Sequence, residues 1–313
     1  MDTSTSRRAR HCVQSPSGHG LRPWGAQRDD SLRQAIPFAR SVSRVGYAQC
    51  FEATMNNAPD DGCPADQRLL RRPGRTMPDA LRQFIAETWV FRRQEELAAG
   101  LRFARLAGAL EQLATPETLV ELARRASEDE RRHAGMCELM ARTYGQEVMP
   151  PVPLEARETA PQDLSFRERV LYEVVAACCI SETESTAGLT SVLAVDGPPR
   201  VRAVLRDILR DEVAHSRLGW AYLAHAAESG SVAFLSPYLP EMLEDSVSPR
   251  LFAKGLSDAE GSMLLAHGVL PHARKSEVFI QALHDVVFPG LERCGVNTTP
   301  GRQWVERRRQ SGA

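Results

Sequence analysis

Asp129-Glu130-Arg131-Arg132-His133 and Asp211-Glu212-Val213-Ala214-His215 are two copies of one short pattern. The offset that superposes them also lays Pro116 on Pro198, Leu119 on Val201, Leu122 on Val204, Arg124 on Arg206 and Ala126 on Ile208. Two helical hairpins therefore follow one plan, and a pseudo-twofold arrangement is expected. Residues three apart share a face of a helix, so Glu130 with His133, and Glu212 with His215, each aim a carboxylate and an imidazole at one point. A single Glu-x-x-His is a weak signal, because both residues are common on solvated helices; two in equivalent helices are much stronger.

The surroundings set the direction of each pair. Glu130 and His133 continue the line of Ala123, Ala126 and Cys137, and Glu212 and His215 that of Leu205, Ile208 and Leu209. Both pairs should point inward. Burying such groups costs on the order of several kcal/mol unless a metal cluster or a set of satisfied core ion pairs compensates.

A dinuclear carboxylate site takes one further Glu from each of the two remaining helices. Glu96 and Glu182 stand at the separation needed to run down one helix, turn, and climb to the level of Glu130 and Glu212. Glu95 and Glu184 compete for these places. Glu96 aligns with Trp89 and Phe103, one heptad to either side, and Glu182 with Val175, Cys178, Leu189 and Leu193, whereas Glu184 is turned about 200° away. Asp129 and Asp211 lie at the margin of the inward face. A metal-bound imidazole usually donates its other N–H to a carboxylate, and a symmetric bundle crosses the pairs, Asp129 to His215 and Asp211 to His133. Four carboxylates balance two divalent cations, and hard oxygen donors with imidazoles suit Fe(II) or Mn(II).

Around this pattern the chain reads as one all-α domain with extensions. Its 313 residues, 42% of them hydrophobic, can bury one substantial core but are short for two large domains. Residues 1–76 are rich in Arg, Ser, Pro, Gly and Asp without helical or strand periodicity and are expected to be mostly disordered. Residues 77–229 carry four helices: from Pro78-Asp79 through Leu110, from Pro116 to about Tyr144, from Ser165 to Ala194, and from Arg200 to Glu228. Four prolines between 145 and 164 make a long crossover between the halves. Residues 230–313 are expected as a helical extension packing on the bundle, with a last helix over Glu277–Phe288 stopped by Pro289-Gly290 and a frayed end at Arg307-Arg308-Arg309.

A formal net charge of -1 offers no single-sign field for nucleic acid or a membrane surface. The polar N-terminal residues never reach the apolar stretch of a secretory signal, and no apolar run approaches the roughly 20 residues that span a bilayer. Seven scattered cysteines, odd in number and with no C-x-x-C pair, argue against a disulfide framework and a zinc-thiolate site. A cytoplasmic protein with reduced thiols is expected.

The ligand order Glu96, Glu130-x-x-His133, Glu182, Glu212-x-x-His215 resembles that of the ferritin-like superfamily, which includes rubrerythrins, the radical-generating subunit of ribonucleotide reductase and the di-iron oxygenases. The resemblance covers about residues 79–228. Trp89 and Phe103 flanking the first Glu make the chain similar to bacterial ferritin-like domain proteins. The rubredoxin-like module of rubrerythrins is missing, and Ile208 stands where some arylamine N-oxygenases carry an additional His. What the resemblance implies is a ferritin-like four-helix bundle with one long crossover. Its metals would be two Fe ions, or Mn, and its activity that of an oxidoreductase using O2 or peroxide on a small organic substrate. An electron-donor protein and a second copy of the chain are the protein partners it allows. Iron oxidation for storage or detoxification, and a structural metal without catalysis, are the alternatives.

Overall fold

The computed structural model describes residues 77–149, 158–246 and 258–312, and among them every regular element is a helix. The expectation for residues 1–76 lies outside the described residues.

Helix α1, Asp79–Gln112, starts behind Pro78 with Asp79 in its first turn, where a carboxylate meets the positive end of the helix dipole. Leu113-Ala114 then reverse the chain, Ala114 with a positive φ of 52°, into α2, Glu117–Thr143. The hairpin closes tightly at its middle. Ser127 Oγ donates to the carbonyl of Gly100 at 2.8 Å, and a Cβ on Gly100 would stand 3.3 Å from that of Glu130.

A full capping box opens α3, Phe166–Val174: the Ser165 hydroxyl takes the Glu168 N–H while the Glu168 carboxylate takes that of Ser165. The chain continues through a π turn, Val175–Ser181, into α4, Glu182–Leu193, so the expected third helix is present with its centre widened. Helix α5, Pro199–Ser229, returns along it, and Gly219 lets the two backbones meet, since a Cβ there would fall 2.5 Å from Cys178 Cβ. The described end of the crossover is pinned by buried Glu173, which accepts the N–H of Thr159 at 2.8 Å and pairs with Arg105.

Two apolar clusters occupy the ends of this bundle-like array. One is built on Phe103, Leu106, Leu110, Leu171, Val174 and Leu223, the other on Ile85, Trp89, Met140, Leu189, Leu205 and Ile208. The inward polar residues lie between them.

The C-terminal region is more helical than expected. After a 3-10 turn, Ala233–Tyr238, come α6, Leu239–Asp245, α7, Asp258–Ala266, and α8, His272–Ala282, which begins before the expected Glu277. A second π turn, Leu283–Val287, leads into α9, Phe288–Arg293. Pro289-Gly290 does not stop the helix. Pro289 sits in the first turn of α9, where its missing N–H costs little, and Gly290 is small because Trp220 packs on it. Nor do the closing arginines form a frayed end. They belong to α10, Thr299–Gly312; Trp304 Nε1 donates to Glu244 at 2.9 Å and Arg308 pairs with the same carboxylate. Among the described residues no helix is long and apolar enough to cross a membrane.

Candidate metal centre

The helix faces chosen by periodicity meet. Glu96 on α1, Glu130 and His133 on α2, and Glu212 on α5 bring ligand atoms within 4.8 Å of one another; Glu130, Glu182, Glu212 and His215 do the same. All six expected ligands thus fall into two overlapping groups that share Glu130 and Glu212. Glu95 is exposed, and Glu184 stands outside both groups. Helix α4 begins with Glu182 itself, as the π turn ends.

His133 Nδ1 lies 3.5 Å from Glu96 Oε2, 3.6 Å from Glu130 Oε2 and 3.6 Å from Glu212 Oε1. His215 Nδ1 lies 2.9 Å from Glu130 Oε1 and 3.9 Å from Glu212 Oε2. The ring centroids are 5.9 Å apart, and Phe103 leans on His215 at 5.1 Å. Exposure of Glu130, His133, Glu212 and His215 is between 0 and 2%, which places the cluster away from water.

The outer nitrogens reach the crossed aspartates. His133 Nε2 is 3.2 Å from Asp211 Oδ2, while His215 Nε2 is 3.5 Å from Asp129 Oδ2, beyond a good hydrogen bond. Arg132, expected to face water and neighbouring acids, is exposed and spans the two aspartates, donating to Asp129 Oδ1 at 2.7 Å and to Asp211 Oδ2 at 2.6 Å. No helical period announces that role, because it depends on how close α2 and α5 come. Arg210 adds a hydrogen bond to Asp211 at 3.2 Å.

Four carboxylates crowd the two imidazoles in this buried space. Burial first, then the neighbouring carboxylates Glu182 and Glu130, push Glu212 well above the ordinary carboxylate range. Burial does the same to Glu130, against the favourable pull of the neighbouring His133 imidazole. Burial opposes a charge on His133, yet Glu130 and Glu96 overcome it and raise the imidazole to about 10. Burial also works against Glu96, which His133 and Glu130 nonetheless hold below its usual value. Asp211, despite burial, is drawn down to about 2 by Arg132, Arg210 and His133.

Several polar atoms of this cluster are buried without a hydrogen-bond partner: both oxygens of Glu130, Oε2 of Glu212, and Nδ1 of both histidines. Orphaned buried acceptors are costly and uncommon, and here they converge. Carboxylate oxygens and imidazole nitrogens are a donor set suited to a hard or borderline divalent cation. The site is thus a buried Glu/His cluster able to hold a metal ion, set among described residues whose regular elements are all helices. No family model, no curated protein and no solved structure matches the chain.

Proposed function

We propose that the chain is a ferritin-like four-helix bundle holding a dinuclear non-haem iron centre, with manganese as the alternative metal, and that it is an oxidoreductase acting on a small organic substrate. One observation carries this reading: Glu130 and Glu212 belong to both ligand groups, as two carboxylates bridging a pair of ions would, while Glu96 with His133 and Glu182 with His215 serve one end each. Iron bound there supplies electrons for the reduction of O2 or peroxide.

The chain's own residues do the rest. Asp211 fixes the orientation of the His133 imidazole by taking its outer N–H, and Asp129 faces the outer nitrogen of His215. The apolar ends of the bundle exclude water, and Phe103 confines the His215 ring. A groove of about 460 Å³ between α4 and α8 reaches Thr183, beside Glu182. Thr183 is hydrogen-bonded to Ser216, beside His215, at 3.0 Å; the size suits a small organic molecule.

The test is the metal content of protein purified from iron-supplemented cells, with the optical spectrum followed as O2 is admitted to the reduced form. About two irons per chain are expected for this class of site, and Glu130→Ala or Glu212→Ala should each abolish most of the binding. Unchanged stoichiometry in both variants would sink the assignment. The near-complete burial of the cluster favours, as a second reading, a structural metal; that reading requires metal removal to lower the melting temperature while no oxidation is ever found.

A further inference from the structure

The two ends of the cluster are built differently. Glu96 stands in the middle of α1, an unbroken α-helix from Asp79 to Gln112. Its counterpart in the second half, Glu182, stands where the π turn Val175–Ser181 gives way to α4, and its own N–H closes the widened turn on the carbonyl of Ala177. One half of the repeated plan thus sets its single Glu on a regular helix, and the other at the edge of a deformed one. Such turns are rare within helices and recur at functional sites. This one is held by few groups. Ser181 Oγ reaches back to the carbonyl of Ala176 at 3.1 Å and lies 3.4 Å from Ser246 Oγ at the end of α6, while the backbone of α5 at Gly219 lies against Cys178 and Cys179.

Contacts around the two imidazoles follow the same division. His133 Nδ1 has three carboxylates at 3.5 to 3.6 Å, Glu96 among them, and Asp211 holds its Nε2 at 3.2 Å. His215 Nδ1 is close to Glu130 alone, at 2.9 Å, with Glu212 at 3.9 Å. Among the described residues no ion pair joins His215 to Glu182, and Asp129 stands 3.5 Å from its Nε2. Both the Glu belonging to each end and the aspartate facing each ring therefore come closer at the Glu96–His133 end. Depth does not make the difference, since the Glu182 residue is 6% exposed and the Glu96 side chain 15%.

We propose that the two ends of the centre hold their ions unequally: the Glu96–His133 end keeps its ion, and the Glu182–His215 end exchanges, with Ser181 as the positioning residue that sets its affinity. The inference rests on the dinuclear reading above and concerns how that centre loads. Ligands already gathered round a ring take a cation with little rearrangement. Affinity falls with the fraction of time that a ligand on a deformable turn is out of place.

Titration of the metal-free chain with Mn(II), the free ion being counted by its electron paramagnetic resonance signal, tests it. Two ions are expected, in steps differing by about tenfold or more in affinity. Glu182→Ala should remove the weaker step and leave the tighter one. Ser181→Ala should weaken the second step alone by about tenfold, and Ser181→Thr, which keeps the hydroxyl, should restore it, all with far-ultraviolet dichroism matching the parent. The Ser181 pair decides the matter even where Glu182→Ala does not fold. Two equal steps, a Glu182→Ala chain that loses the tighter step, or a Ser181→Ala chain in which both steps or neither weaken would each overturn the unequal loading while leaving the dinuclear centre standing. A parent chain that takes up a single ion, or none, even at millimolar Mn(II) would overturn the dinuclear reading itself.

Discussion

Arg132 holds two aspartates from different helices with one guanidinium, and each aspartate faces the outer nitrogen of one cluster histidine. Losing that tie frees both carboxylates to turn away and leaves both imidazoles less well oriented. Arg132→Gln is therefore expected to lower metal affinity by about 10- to 100-fold, the range for groups that orient ligands, read by competition against a chelator while the far-ultraviolet dichroism is unchanged. At this scale the sequence was informative wherever a helical period decided. The preference for Glu96 over Glu95, and the crossed aspartates, needed only 100° per residue and a pseudo-twofold. Arg132 and Ser181 were silent as site residues, because their roles depend on how close α2 comes to α5 and on where the third helical segment widens.

Among elements, the ends of α1, α2 and α5 follow from prolines and apolar spacing, which act locally. The π turns do not. A widened turn costs hydrogen-bond geometry, and only packing repays it. In the third helical segment the turn sits where α5 comes closest, at Gly219. Its substitution is the corresponding test: Gly219→Ala drives a methyl against Cys178 and should cost about 1–3 kcal/mol, as overpacking does, measured as a lower urea midpoint. An unchanged midpoint would mean the contact is loose. The second π turn explains why Pro289-Gly290 was misread as a stop, since a proline following a widened turn takes the place of a first-turn residue.

At the scale of the whole molecule, the extension after α5 reaches back to the hairpin of α1 and α2. Tyr144, just past α2, has its hydroxyl 2.6 Å from His267 Nδ1, in the turn after α7. Burial holds His267 below its ordinary 6.5, so the unfolded chain binds a proton before the folded chain does, and stability falls as pH drops below about 6.5. His267→Gln should flatten that fall relative to the parent protein, seen by comparing urea midpoints at about pH 7 and pH 5.5; parallel profiles would show that the contact carries no pH dependence. Prolines and short amphipathic runs hid how this region docks, because its partners are far away in the chain.

The two halves repeat one plan, yet the position of Arg132 is taken by Ala214 in the second. A chain assembled from two copies of the first half would bring two guanidiniums to the one place where a single one now spans both aspartates, and they would repel. A chain made of two second halves would have none there. Neither half can replace the other: the first supplies the guanidinium that spans both aspartates, and the second receives it.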